Sequence, residues 1–127
     1  MGLEIQLQSK IFLRAWNEYP HTRGCLFRVR NEERKMPNES IAQFRRRLSQ
    51  NLATGVVPGV SDFVMFWYGK LYAFELKVAG RKQSESQHWW QGVCYMHSVQ
   101  YELFDTEEDF FAVFENIVGV RDNKPKI

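Results

Sequence analysis

Three side chains in the middle of the chain have the types and spacing to converge on one cation. Asp62 follows the turn-rich stretch Pro58-Gly59-Val60-Ser61, and Glu75 and Lys77 lie two residues apart in a later apolar run. Residues 61–68 and 71–78 are rich in aromatic and branched side chains and read as strands. Only Gly69-Lys70 separates them, and a two-residue loop with Gly first suits a type II′ hairpin turn. With that loop Asp62 sits opposite Lys77, and Val64 opposite Glu75. Side chains alternate along a strand, so Asp62, Glu75 and Lys77 share one face. Directly opposed residues are about 5 Å apart and diagonal ones about 7–8 Å, within reach of these side chains. Two hard oxygen donors suit Mg²⁺ or Mn²⁺, with substrate phosphate as a further ligand. A cross-strand salt bridge between Asp62 and Lys77, with Glu75 solvated, uses the same spacing without any metal.

The elements that hold these residues read as a single α/β domain over 1–120, in the order α-β-α-β-β-α-β-α. Residues 3–17 carry Leu3, Leu7 and Ile11 at helical spacing, and Pro20 and Gly24 punctuate the end. Residues 25–30 alternate, with Phe27 and Val29 on one face and Arg28 and Arg30 on the other, as in a half-buried strand. Asn38 or Ser40 can cap a helix striped by Ile41, Phe44, Leu48 and Leu52, with Arg45, Arg46 and Arg47 on its other face. Ser84-Glu85-Ser86-Gln87 fits a capping box for a helix over 84–97, whose apolar side is Trp89, Trp90, Val93 and Met96. Residues 99–104 alternate as a strand. A last helix starts near Thr106 and buries Phe110, Phe111, Phe114, Ile117 and Val118. The tail 121–127 is expected to fray.

Composition narrows the function classes. Of 127 residues, 44% are hydrophobic and 15% aromatic, enough to offset the ordering entropy that keeps polar chains disordered. No apolar run approaches the ~20 residues of a membrane span, and the first residues lack the pattern of a signal peptide. Cys25 and Cys94 lie far apart, which suits reduced thiols in an intracellular, cytoplasmic chain. Residues 1–82 hold fourteen Lys/Arg against seven Asp/Glu, whereas 83–127 hold three against eight. Such asymmetry points to a polyanion on one face, or to a solvated surface of uneven composition. Arg28, Arg30, Arg81 and Lys82 could track phosphates beside the acidic residues, and Arg45–Arg47 could do so from their helix. Trp89 and Trp90 either stack on bases, line an interface, or split between core and rim. His88, Cys94 and His97 lack the spacing of a zinc site. No P-loop or dinucleotide fingerprint is present, so no nucleotide cofactor is expected.

The ordered set of residues resembles the PD-(D/E)XK nuclease signature, and more narrowly the VRR-NUC (virus-type replication-repair nuclease) family. The similarity runs over nearly the whole chain. Glu4 stands early in the first helix, Asn31-Glu32 follow the first strand, then come Gly59-Val60-Ser61-Asp62, Glu75-Leu76-Lys77, and Ser84-Glu85-Ser86-Gln87. Ser61 departs from the proline often found before the aspartate, without removing a metal ligand. The resemblance implies a restriction-endonuclease-like mixed sheet flanked by helices. It implies that Asp62, Glu75 and the Leu76 carbonyl hold Mg²⁺ or Mn²⁺. Lys77 would position the attacking water, Gln87 would orient Lys77 or the water, and Glu4 would add a further carboxylate. It implies an endonuclease on branched or flapped DNA such as a Holliday junction, acting as a homodimer in a bacterial or phage-infected cell. On the residues alone, a nucleic-acid-binding module that does not cut and a purely structural protein remain open.

Overall fold

The structure is a computed structural model and describes residues 2–29, 35–78 and 80–119. Arg30, Asn31, Glu32 and the tail 121–127 lie outside the described residues. Helix α1 (Leu3–Glu18) leads through a single 3₁₀ turn at Pro20–Thr22 into β1 (Leu26–Arg28). Helix α2 (Ile41–Ala53) precedes the hairpin of β2 (Phe63–Trp67) and β3 (Lys70–Leu76). Helix α3 (Glu85–Met96), β4 (Gln100–Phe104) and α4 (Glu107–Val118) follow. The four strands form one mixed sheet in sequence order, β1-β2-β3 antiparallel and β3-β4 parallel. A parallel neighbour needs a crossover, and α3 supplies it.

One face of the sheet carries the main core. Ile11 and Ala15 of α1 and Phe110, Phe111, Phe114 and Val118 of α4 pack on Phe63, Met65, Tyr72, Phe74, Leu76 and Phe104. Phe110 is fully buried, with the rings of Phe74, Phe104 and Phe114 each 5.3 Å away. The opposite face is covered by α3 only over β3 and β4, where Cys94 and Trp90 meet Ala73 and Tyr101. On the rest of that face Phe27 of β1, Phe66 of β2 and Leu71 of β3 are exposed, with the Phe27 and Phe66 rings 6.3 Å apart.

Four local expectations are corrected. The hairpin loop is Tyr68-Gly69, not Gly69-Lys70, because Trp67 pairs with Lys70. Tyr68 and Gly69 both take positive φ, 46° and 79°, as a type I′ turn requires. In β1 the residue turned to the core is Leu26, while Phe27 faces outward, because Leu26 pairs with buried Met65. Helix α2 buries none of its residues, and Ile41 and Leu52 of its apolar stripe are exposed. In α3 the buried side is turned toward Cys94 and Trp90, leaving Trp89 and Met96 exposed.

Candidate active site

The hairpin correction changes the partners and keeps the face. Moving the loop by one residue shifts every cross-strand partner by two. Since Phe63 pairs with Phe74, the next step brings Asp62 across from Glu75 rather than Lys77. The period of two leaves Asp62, Glu75 and Lys77 on the same side. Among the described residues Asp62 and Lys77 form no ion pair with each other, so the two carboxyl groups are the close partners.

Asp62 is pinned from both sides. Its Oδ2 accepts the Leu76 N–H at 2.8 Å, and its carbonyl accepts the Val29 N–H at 2.9 Å. Glu75 is 2% exposed, a rare condition for a carboxyl group without a full set of partners. Its Oε1 accepts from Gln87 Nε2 at 3.4 Å, and its Oε2 is buried with no N–H or hydroxyl donor facing it. Burial pushes the Glu75 carboxyl up to about 10, a hydrogen bond shared with the Asp62 carboxyl and the Asp62 charge add to the shift, and Lys77 opposes it. Glu4, in the first turn of α1, also has a buried oxygen, Oε1, without a partner.

Gln87 reaches Glu75 because the start of α3 holds it there. The capping box is formed. The Ser84 hydroxyl accepts the Gln87 N–H at 3.3 Å, and Gln87 Oε1 accepts the Ser84 N–H at 2.8 Å. With Oε1 occupied, the Gln87 amide can turn only its Nε2 toward the sheet. Gln87 is therefore held against Glu75.

A cleft of about 490 Å³ gathers Glu4, Arg28, Asp62, Glu75, Lys77, Arg81, Lys82 and Gln87 on its walls. Arg28, Arg81 and Lys82 are exposed there. Leu76 is not among the residues lining the cleft; its N–H holds Asp62 and its side chain belongs to the main core. The arginines of α2 lie outside the cleft. Arg45 and Arg46 are exposed, while Arg47 is committed to Glu39 through contacts of 2.9 and 3.0 Å. That pair draws Glu39 down to about 2, chiefly through the Arg47 hydrogen bond. Trp89 and Trp90 split between surface and interior, with Trp90 set edge-on to Tyr101.

Sequence reasoning missed Tyr101. It pairs with Ala73 and so lies on the Glu75 side of the sheet, where it accepts a hydrogen bond from Gln83 at 2.8 Å. Burial raises its phenol above the usual range, and the nearby Glu75 charge adds to the shift. Only the parallel pairing of β4 with β3, which no local signal encodes, puts Tyr101 there.

Oxygen donors of this kind fit a hard divalent cation, and the two buried carboxyl oxygens that no N–H or hydroxyl donor meets are what such an ion would satisfy. Among the described residues no group of three His, Cys, Asp or Glu side chains is drawn together tightly enough to form a complete metal cage. Mg²⁺ sites commonly need only one or two carboxylates, with water and substrate phosphate supplying the rest. No helix among the described residues is long and apolar enough to cross a membrane. Comparison with protein-family models, with curated proteins and with solved structures gave no match.

Proposed function

We propose that this chain is a Mg²⁺- or Mn²⁺-dependent endonuclease that hydrolyses DNA phosphodiester bonds, with a preference for branched or flapped DNA such as a Holliday junction. The observation that carries the reading is the pair of buried carboxyl oxygens on Glu4 and Glu75 that no N–H or hydroxyl donor meets, in the cleft that also holds Asp62 and Lys77. Without a cation Glu75 keeps its proton beside the Asp62 carboxyl, and a divalent ion would take that proton's place. The mixed sheet with a carboxylate-bearing hairpin between helices supports a restriction-endonuclease-like fold.

Asp62 and Glu75 would hold the ion, with the Leu76 carbonyl beside them and Glu4 as an outer carboxylate. When bound, a divalent ion polarises the phosphate and lowers the pKa of a bound water. The protein's own groups do the rest. Gln87 Nε2 fixes the Glu75 carboxyl group, and the Leu76 N–H fixes Asp62. The Lys77 ammonium in the same cleft holds the attacking water and offsets charge developing on the phosphate. Arg81 and Lys82 neutralise flanking phosphates and seat the backbone. A homodimer would offer two such sites to a two-fold symmetric junction.

The test is cleavage of junction, flap and plain duplex DNA with Mg²⁺ or Mn²⁺, beside Glu75→Ala and Lys77→Ala controls and a chelator control. Wild-type protein should cut branched DNA, and each variant should lose about 10³-fold or more. Wild-type protein that binds these DNAs without cutting them would replace the nuclease by a binding module. Light scattering with and without junction DNA checks the dimer.

A further inference from the structure

We infer that Gly59 is a positioning residue for this site: its bare backbone seats the first turn of α3, and that seat determines whether Gln87 meets Glu75. The kinetic consequence rests on the nuclease reading; the placement rests on geometry alone. Gly59 is buried and has φ +83°, a conformation that side-chain-bearing L residues rarely adopt. A Cβ there would lie 2.2 Å from the Ser86 carbonyl oxygen, 2.3 Å from its carbon and 2.6 Å from the Gln87 nitrogen. Those are backbone atoms of a helix start and cannot swing aside as a flexible side chain would. Restoring ordinary contact takes a separation of roughly 1 Å or more between loop and helix.

The loop side cannot absorb that movement easily. Two residues on, the buried Ser61 hydroxyl donates to the Phe63 carbonyl at 2.8 Å. Asp62 is held by Val29 and Leu76 at 2.9 and 2.8 Å. The displacement therefore falls on the first turn of α3, which carries Gln87. The Gln87–Glu75 contact, at 3.4 Å, is already near the long limit of a hydrogen bond and does not survive a further ångström. Gly55 supplies the control, for it has φ +96° and nothing within 4 Å of a Cβ. Alanine at Gly55 carries the backbone strain of positive φ without the collision.

The experiment compares Gly59→Ala, Gly55→Ala, Gln87→Ala and the Gly59→Ala/Gln87→Ala double variant, each checked for folding by thermal melting. Gly59→Ala should lower kcat on junction DNA about 100-fold with KM within about threefold, since a 1 Å misplacement is worth that much. Gly55→Ala should stay within about twofold of wild type. The double variant should be no worse than Gln87→Ala, because Gly59 acts through Gln87. Losses that multiply in the double variant, or an equal loss in Gly55→Ala, overturn the inference. A second readout needs no turnover. Nuclear Overhauser contacts between the Gln87 side-chain amide and the Glu75 side chain should be present in wild type and Gly55→Ala and lost in Gly59→Ala. Their persistence in Gly59→Ala overturns the placement even if wild-type protein cuts no DNA, an outcome that would sink the nuclease reading separately. If Gly59→Ala does not fold, Pro58→Gly loosens the same turn without adding an atom. It should reduce kcat about fivefold in the wild-type background and not at all in Gln87→Ala, and an unchanged kcat in the wild-type background overturns the inference.

Discussion

Glu75 concentrates the electrostatic tension of the molecule in one side chain. With its folded-state pKa raised toward about 10 by burial, the metal-free protein keeps a proton that the unfolded chain has released. The associated stability is complete below pH about 4.5, the ordinary carboxylate value, and is lost as pH climbs toward about 10. Glu75→Gln, which is neutral at every pH, should stabilise the metal-free protein at pH 8 by about 1–2 kcal/mol and flatten that decline while abolishing cleavage. Urea titrations across the pH series read both effects; a variant that is less stable and keeps the slope would show that Glu75 is comfortably ionised. Divalent cation binding should release close to one proton at pH 7, since the bound carboxyl group must ionise. Calorimetry in two buffers of different ionisation enthalpy measures it, and binding without proton release would remove Glu75 from the ligand set.

At the scale of elements, the site is the meeting of a hairpin and a helix start. The hairpin carries both carboxyl groups on one face, and the capped first turn of α3 brings an amide to one of them. Ser84→Ala removes the hydroxyl that accepts the Gln87 N–H and should cost about 1 kcal/mol in urea unfolding. A cost near zero would mean that packing against the loop, rather than the cap, holds the turn. The capping boxes of α2 and α3 were both built from serine with glutamine three residues on. The one at Ser84 was legible because its partners are adjacent in sequence. The register of the hairpin was not. A single glycine serves a two-residue turn as its first residue or its second, and only the pairing of the flanking strands decides.

For the molecule as a whole, the main core and the candidate site lie in different places. The face packed by α1 and α4 holds the large aromatic core, and the cleft lies where the first turns of α1 and α3 approach the hairpin end. Phe110→Ala should cost about 3–5 kcal/mol, as removal of a fully enclosed aromatic does. Phe66→Ala, at an exposed position on the other face, should cost well under half of that in the same denaturant series. Equal costs would show that this position is covered in solution. Arg81→Ala and Lys82→Ala should each lower the slope of log K against log salt for DNA by about one, evenly across DNA sequences. Arg47→Ala should leave that slope unchanged, since its guanidinium is committed to Glu39.

Local chemistry determined a great deal here: a helix within 84–97, the aromatic helix at the end, and the shared side of Asp62, Glu75 and Lys77. Those depend on periodicity and on neighbours a few residues away, and the shared side survives even a misplaced turn because strand alternation has a period of two. Tertiary structure alone decided which carboxyl faces which, that Phe27 points outward, and that Tyr101 stands beside Glu75. It also decided that the apolar stripe of α2 has no fully buried residue. Each of these is settled by which surfaces find one another across the fold, and amino-acid type records only that a surface is apolar or charged, not what covers it.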